Sequence, residues 1–234
     1  MSGHSKWATT HRQKAVVDAK RGAAFTKLGN MIAIAARGGT DPTTNSSLAL
    51  AIEKARAANM PNANIQRAID RINDKNAAAL EEAVYEGYGP GGVGIIIETA
   101  TDNKNRTYPE VRTALTKNGG TMADSGSVMF QFARKGVIRV AVSGEEALLT
   151  VLDAGAEDAT EEDGGLTVYT DKKELAKVRE ALLAAGMTVE DAELQYVPNN
   201  TVAIEDDETA RKLTKIIDAL EALDDVTNVA TNAA

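Results

Sequence analysis

Cysteine is absent from the 234-residue sequence. The chain therefore cannot form disulfides, thiolate zinc sites or iron–sulfur clusters, and it cannot use a cysteine nucleophile. Histidine is almost as scarce, since His4 and His11 are the only two. An acid–base enzyme would have to take its imidazole from this N-terminal segment, which has no apolar core of its own. We expect a protein that is not an enzyme and that needs no metal or other cofactor.

Aromatic residues are also rare, at 4% of a sequence that is 43% hydrophobic, so its cores must be aliphatic. No run approaches the roughly 20 apolar residues of a membrane-spanning helix. The N-terminus lacks the apolar region of a secretory signal. We expect a cytoplasmic protein with no membrane partner, and the sequence does not indicate its oligomeric state. The length exceeds the usual domain size of about 100 to 150 residues, which favours two or three domains.

Charge is distributed unevenly along the chain, although the formal net charge is -8. Residues 1–76 contain twelve lysines and arginines against five aspartates and glutamates, and the rest of the chain is correspondingly acidic. Such opposed parts favour a protein whose basic end contacts a phosphate backbone. The alternative is a solvated, dipolar surface without a specific partner.

The basic end begins with a polar arm, residues 1–20, in which Trp7 is the one large aromatic group. Cations set around an aromatic ring suit single-stranded or folded RNA, because the ring can stack on a base while the cations contact phosphates. An alternative is that Trp7 docks on its own domain. The candidate nucleic-acid-binding residues of the arm and the helix that follows are His4, Lys6, Trp7, His11, Arg12, Lys14, Lys20, Arg21 and Lys27. Arg12 and Lys27 are included on charge alone.

Apolar residues at helical spacing predict three helices after the arm. The first covers about residues 23–38, the second starts near the capping candidates Asn45, Ser46 and Ser47, and the third covers about residues 61–73. Their apolar stripes are Phe25, Leu28, Ile32 and Ala35; Leu48, Ala51, Ile52 and Ala55; and Ile65, Ala68, Ile69 and Ile72. We expect a domain boundary at residues 73–79.

The rest of the chain alternates strand and helix patterns. Strands are predicted at residues 94–100, 129–134, 137–142, 156–160, 166–169, 188–194, 201–204 and 226–229, and helices at 108–117, 144–154, 171–185 and 207–223. The first of these helices has Thr107 as its candidate N-cap. Residues 137–194 follow the β-α-β-β-α-β order of a ferredoxin-like domain.

These elements predict an α+β multidomain fold, with an N-terminal three-helix domain and two ferredoxin-like domains, the second inserted in the first. The predicted domains are residues 1–79, residues 80–135 together with 199–234, and residues 136–198.

Two motifs that could indicate a ligand site favour plainer interpretations. GYGPGG at residues 87–92 has the spacing of a dinucleotide-binding loop, but it precedes a strand, whereas such a loop must open a helix. We expect a tight turn or hinge there. The acidic residues 157–163 are followed by glycines and predict a hairpin turn rather than a cation site.

The sequence closely resembles the YebC/PmpR family in a series of motifs that runs in order from the N-terminus to about residue 138. These are GHSKWA at residues 3–8, His11, KA at 14–15, DAKRG at 18–22, AANMP at 57–61, NI at 64–65, YEGYGPGGV at 85–93, NRT at 105–107, EVR at 110–112, KNGG at 117–120 and SGSV at 125–128. The resemblance implies a helical domain and two α+β domains, one inserted in the other. It also implies a nucleic-acid role for His4, Lys6, Trp7, His11, Lys14, Lys20 and Arg21.

Family members are described both as DNA-binding transcriptional regulators and as ribosome-associated translation factors that relieve stalling at proline-rich stretches. The sequence differs from the family pattern at Gln13, Gly29, Asn30 and Asp70, where charged or basic residues are common, so its basic face is expected to be weaker. It also shows no evident recognition helix with base-reading residues in a row. We therefore favour ribosomal RNA as the partner, with DNA as the alternative and an interaction scaffold without nucleic acid as a third hypothesis.

Overall fold

The computed structural model describes residues 21–74, 78–162 and 164–234. Within these ranges, seven α-helices and two four-stranded antiparallel sheets form three groups, each around its own cluster of buried residues. None of the helices in the described ranges is long and apolar enough to cross a bilayer. The α+β fold class predicted from the sequence is confirmed.

The first group, the helical unit, consists of α1 (Arg21–Ala35), α2 (Ser46–Ala57) and α3 (Asn62–Asp70). All three predicted helices are present. The predicted capping of α2 is confirmed, because the Asn45 side chain accepts a hydrogen bond from the backbone N–H of Leu48 at 3.1 Å. The helices bury a shared aliphatic cluster that includes Leu28, Ile32, Leu48, Ile52, Met60, Ile65 and Ile69.

The strands are β1 (Glu81–Tyr88), β2 (Gly94–Thr101), β3 (Thr121–Ala123), β4 (Phe132–Val140), β5 (Asp158–Glu162), β6 (Gly165–Asp171), β7 (Val189–Pro198) and β8 (Val226–Thr231). The remaining helices are α4 (Lys104–Lys117), α5 (Glu145–Asp153), α6 (Leu175–Ala184) and α7 (Asp207–Glu221).

The first sheet has the strand order β3-β1-β2-β8. Successive residues of a strand face opposite sides of a sheet, and β2 uses both sides. Ile95 and Ile97 join the core formed with α4 and α7, whereas Ile96 packs in a second cluster with Val128 and Phe132. Both faces of β2 are therefore covered, one by α4 and α7 and the other by the segment that contains Val128 and Phe132.

The second sheet has the order β5-β6-β4-β7, and its elements follow the chain order β-α-β-β-α-β predicted for a ferredoxin-like domain. Its core includes Ile138, Val151, Val168, Val178 and Leu182. The elements of the second sheet interrupt the group built on the first sheet along the chain, since β3 precedes them and α7 and β8 follow them.

Several local predictions are wrong. The sequence predicts two strands at residues 129–134 and 137–142, but β4 is one continuous strand, so the expected boundary at residue 136 falls inside it. Residues 201–204 form only an isolated bridge, between Val202 and Ala233. The N-cap of α4 is Asn103, which accepts from the Arg106 N–H at 3.2 Å, while Thr107 lies buried inside the first turn.

Strand β1 was not predicted because a glutamate interrupts its apolar pattern. Glu86 is only 3% exposed, yet its carboxylate accepts backbone hydrogen bonds from Gly126, Val128 and Met129 at 2.6 to 2.8 Å. Burial raises the pKa of this carboxyl, but the three N–H donors together outweigh burial and hold the pKa below its usual value. Glu86 thus joins two of the sequence motifs, at residues 85–93 and 125–128, as a structural contact.

Glu86→Gln is expected to lower the free energy of unfolding at neutral pH by about 2 to 3 kcal/mol, since an amide cannot accept from three N–H groups. Folding stabilised by a lowered carboxyl pKa is strongest above the ordinary glutamate pKa, and it is lost as pH falls through the pKa of the folded state. The difference between the two proteins should therefore shrink in acid. Urea unfolding over a pH series measures it. Glu82→Gln, at an exposed position of the same strand, is the control and should change little.

Candidate nucleic-acid interface

Most of the candidate site residues lie in the N-terminal arm. His4, Lys6, Trp7, His11, Arg12, Lys14 and Lys20 are outside the described residues, so their role stays a prediction. Arg21 is the first residue of α1 as described, and its side chain is not among those described.

Lys27 has a partner within the chain. Its ammonium donates to the backbone carbonyl of Glu221, at the end of α7. Burial lowers the pKa of Lys27, although the charges of Glu221 and Asp224 oppose this. A phosphate would have to displace the contact with Glu221, and the nucleic-acid role of Lys27 also stays a prediction.

Three more cations of the helical unit contact the α+β groups. Arg37 donates to the carbonyl of Leu80 at 3.2 Å, and Arg71 lies 3.7 Å from Asp102. Lys54 of α2 pairs with Glu193 and lies 3.6 Å from Asp191, both on β7. On the same helix, Glu53 forms an ion pair with Arg179 of α6. Helix α2 thus contributes one cation and one anion to its contact with the second sheet's group.

Arg56 and Arg67 differ from these four. Both are exposed, and within the described residues neither guanidinium group takes part in an ion pair or hydrogen bond. Among residues 22–74, the available positive charge is therefore concentrated near the end of α2 and on α3. A count of basic residues along the sequence cannot separate these two arginines from the cations that hold the domains together.

Two of the positions at which the sequence differs from the family pattern, Gly29 and Asn30, lie close to other parts of the chain. Asn30 is 7% exposed, donates to the carbonyl of Ala100 at 3.4 Å and accepts from Arg71. At Gly29, an added methyl group would lie 3.8 Å from Met60. The Asn30 side chain is therefore used within the chain, and a weaker basic face at Gly29 and Asn30 stays a prediction. Asp70 is exposed and accepts from Gln66 at 2.9 Å.

The AANMP motif forms the turn between α2 and α3. Asn59 adopts a left-handed φ of 59°, which asparagine tolerates better than most residues. Its N–H donates to the carbonyl of Arg56 at 2.9 Å, and the N–H of Met60 donates to that of Ala55 at 2.9 Å. These are the two hydrogen bonds of a Schellman motif, and the buried Met60 supplies its apolar contact. Pro61 then starts α3 at once, so two helices meet at a tight corner.

The NRT motif surrounds the buried carboxylate of Asp225, at the start of the segment leading into β8. Thr101 and Thr107 donate to Asp225 at 3.0 and 2.6 Å, and Arg106 pairs with it at 2.7 Å. Burial raises the pKa of Asp225, and the donors Thr107, Arg106 and Thr101 together hold it below its usual value. The contact with Asp225 could not be predicted from the motif, because Asp225 is more than 100 residues away along the chain.

The junction of the three groups encloses a cleft of about 700 Å³. Its charged walls are largely paired. Arg134 lies 3.1 Å from Glu98 and stacks over Tyr196. Burial raises the pKa of Glu98, although Asn228 and Arg134 favour its charged form. Charges of both signs line this cleft, so it does not provide the one-sided positive surface that a phosphate backbone needs.

The two motifs that resembled ligand sites have structural roles. GYGPGG connects β1 to β2 as a hairpin loop, with Gly91 and Gly92 at φ of 76° and 77°, so the predicted turn is confirmed. Strand β5, which contains Asp158, Glu161 and Glu162, pairs with β6 in an antiparallel hairpin, as predicted. Among the residues that the structure describes, no group of three histidines, aspartates or glutamates is placed to hold a metal.

Comparison with known proteins identifies the family. Residues 5–75 match a family model described as the TACO1/YebC protein N-terminal domain, and residues 80–233 match one described as the TACO1/YebC second and third domain. A relative from Moorella thermoacetica, named probable transcriptional regulatory protein, is 52% identical over 240 residues that cover 100% of this chain and 95% of its own. A relative of the same name from Salinispora tropica is 50% identical over 238 residues, covering 99% and 95%.

A solved structure agrees with these matches. The crystal structure of a conserved hypothetical protein from Aquifex aeolicus has a TM-score of 0.89 and 44% identity to this chain, and the match covers 95% of this chain and 93% of the other. The resemblance inferred from the sequence motifs is confirmed, and this chain belongs to the TACO1/YebC family.

Proposed function

We propose that the protein is a non-enzymatic, nucleic-acid-binding regulator of gene expression. More specifically, we propose a cytoplasmic translation factor that contacts ribosomal RNA and relieves stalling at proline-rich stretches. Membership of the family and the name of its relatives, probable transcriptional regulatory protein, support the broader role.

One observation carries the proposal, namely the separation of charge along the chain. Basic residues outnumber acidic ones by twelve to five in residues 1–76, in a protein of net charge -8. Four of these cations contact the α+β groups, whereas Arg56 and Arg67 are exposed and unpaired among the described residues. Five more, Lys6, Arg12, Lys14, Lys20 and Arg21, cluster at the N-terminus beside Trp7. This distribution suits a polyanion held at one end of the molecule.

A DNA-binding transcriptional regulator is the alternative, and the printed name of the relatives favours it. RNA is preferred because Trp7 is set among cations, and because a chain of net charge -8 is poorly attracted to bare duplex.

Binding to single-stranded RNA is expected to weaken steeply with salt, with a log–log slope of about -3 to -4 for roughly five phosphate contacts. Lys6→Glu combined with Lys14→Glu should flatten this slope, because each lost phosphate contact removes counterion release. Fluorescence anisotropy titrations at several salt concentrations measure it. Lys172→Glu combined with Lys173→Glu, at exposed positions of the second sheet's group, makes the same charge change elsewhere and should leave the slope near its original value.

Trp7→Ala is expected to weaken RNA binding by about tenfold with little change in the salt slope, since a stacked ring contributes roughly 1 to 3 kcal/mol per base and no counterion release. An unchanged affinity would indicate that Trp7 docks on its own domain instead.

A reporter with a proline run distinguishes translation from transcription. With transcript level held constant, cells that carry either arm variant should fail to translate through the run, whereas the unaltered protein restores translation. Normal translation together with loss of promoter occupancy would support the DNA-binding alternative and contradict the ribosomal role.

A further inference from the structure

The corner between α2 and α3 has one buried and one exposed side. Met60, Ile65 and Ile69 face the cluster of the helical unit. The exposed residues of the corner include two arginines and three amides, namely Arg56, Asn59, Asn62, Gln66 and Arg67. These five residues lie between the last turn of α2 and the second turn of α3. The exposed hydrogen-bonding side chains of residues 56–67 are therefore amides and guanidinium groups.

These side chains can contact both parts of a nucleic acid. Guanidinium groups donate paired hydrogen bonds to phosphate oxygens, and amide groups both donate to and accept from base edges. The Gln66 amide nitrogen donates to Asp70 on the same helix. This hydrogen bond orients the Gln66 side chain and leaves its carbonyl oxygen as an acceptor for a base edge. Neither arginine has an ion pair within the described residues that a phosphate would need to displace.

The corner also lies close to the point where the arm enters the helical unit. α1 packs against α3 near Gly29, where an added methyl group would lie 3.8 Å from Met60 and 4.0 Å from Ala68. A helix rises 1.5 Å per residue, so Arg21 is about 12 Å along the α1 axis from this contact. At the spacing of about 3.4 Å per phosphate along one strand of a duplex, that distance corresponds to roughly three to four nucleotides.

We propose that the exposed side of the α2–α3 corner is a second RNA contact of this protein, with Arg56 and Arg67 on phosphates and Asn62 and Gln66 on the edges of unpaired bases. The inference rests on the proposed function and extends it from the arm to a defined surface of the folded domain. The arm and the corner would then hold one RNA strand at two neighbouring places.

Single-stranded or looped RNA fits this surface better than duplex DNA. Helix α3 has nine residues, and its exposed side carries one arginine, Arg67, and one aspartate, Asp70. The net charge of this helix is therefore too small to attract the two phosphate backbones that flank a major groove. Unpaired bases expose their hydrogen-bonding edges without requiring a helix to enter a groove.

The test is made with the full chain and a 20-nucleotide single-stranded RNA as probe. Arg56→Gln combined with Arg67→Gln keeps helix-forming residues at both positions and should reduce the magnitude of the salt slope by about 1.4, which corresponds to two phosphate contacts on a single strand. Arg56→Lys combined with Arg67→Lys should restore most of the slope. Asn62→Ala combined with Gln66→Ala should weaken binding by about two- to tenfold with the slope unchanged.

The matched control is Arg112→Gln combined with Arg211→Gln. These exposed arginines lie on α4 and α7, and neither has an ion pair within the described residues. The control removes the same charge from the helices on the other side of the first sheet, so it should leave the slope unaltered. Equal effects of the control and the corner variant would show a general electrostatic effect and overturn the inference. Thermal midpoints confirm that each variant is folded.

Two other outcomes separate this inference from the proposed function. If Lys6→Glu with Lys14→Glu flattens the slope but the corner variants bind normally, the corner inference is wrong and the proposed function stands. If the unaltered protein does not bind the RNA, both are wrong. A 20-base-pair DNA duplex is titrated in parallel, and a loss of affinity by the corner variants for DNA alone would overturn the assignment to RNA.

Discussion

The position of the helical unit depends on a closed set of polar contacts around the buried carboxylate of Asp225. The Asp225 carbonyl accepts from the N–H of Ala100, and its side chain pairs with Arg106, which also contacts Asp102. Asp102 in turn lies near Arg71 of the helical unit, and Arg71 donates to Asn30. Asn30 donates to the carbonyl of Ala100 and closes the circuit. Buried polar groups must be satisfied, so this circuit constrains how the helices can sit on the first sheet.

That constraint determines which surfaces remain for a partner. Lys27, Arg37, Lys54 and Arg71 are directed at carbonyls and carboxylates of the α+β groups, and the contacts with Lys54 extend the attachment to the second sheet. The basic residues near the N-terminus therefore divide into those that assemble the molecule and those that stay available. Acidic side chains are the partners of Lys54 and Arg71, whereas Lys27 and Arg37 donate to backbone carbonyls.

Several sequence motifs of the family have structural explanations. Glu86 binds the backbone of the SGSV segment, Arg106 and Thr107 of NRT bind Asp225, and Asn59 with Met60 in AANMP closes the corner between α2 and α3. Each motif contains a residue type chosen for a local reason, such as a carboxylate for several N–H donors or an asparagine for a left-handed turn. A motif in this chain is therefore not in itself evidence of a binding site.

The sequence by itself determined the family, the α+β class, the three N-terminal helices and the cap at Asn45, because helical periodicity and capping act between residues a few positions apart. The chain order β-α-β-β-α-β of the second sheet's group was predicted from the same kind of local pattern. Only the tertiary structure decided that β1 contains a buried Glu86, that β4 is one strand, and which cations are paired. The partners of Lys27, Lys54 and Arg37 lie 43 to 194 residues away along the chain, and no local pattern records contacts that form only when distant segments pack together.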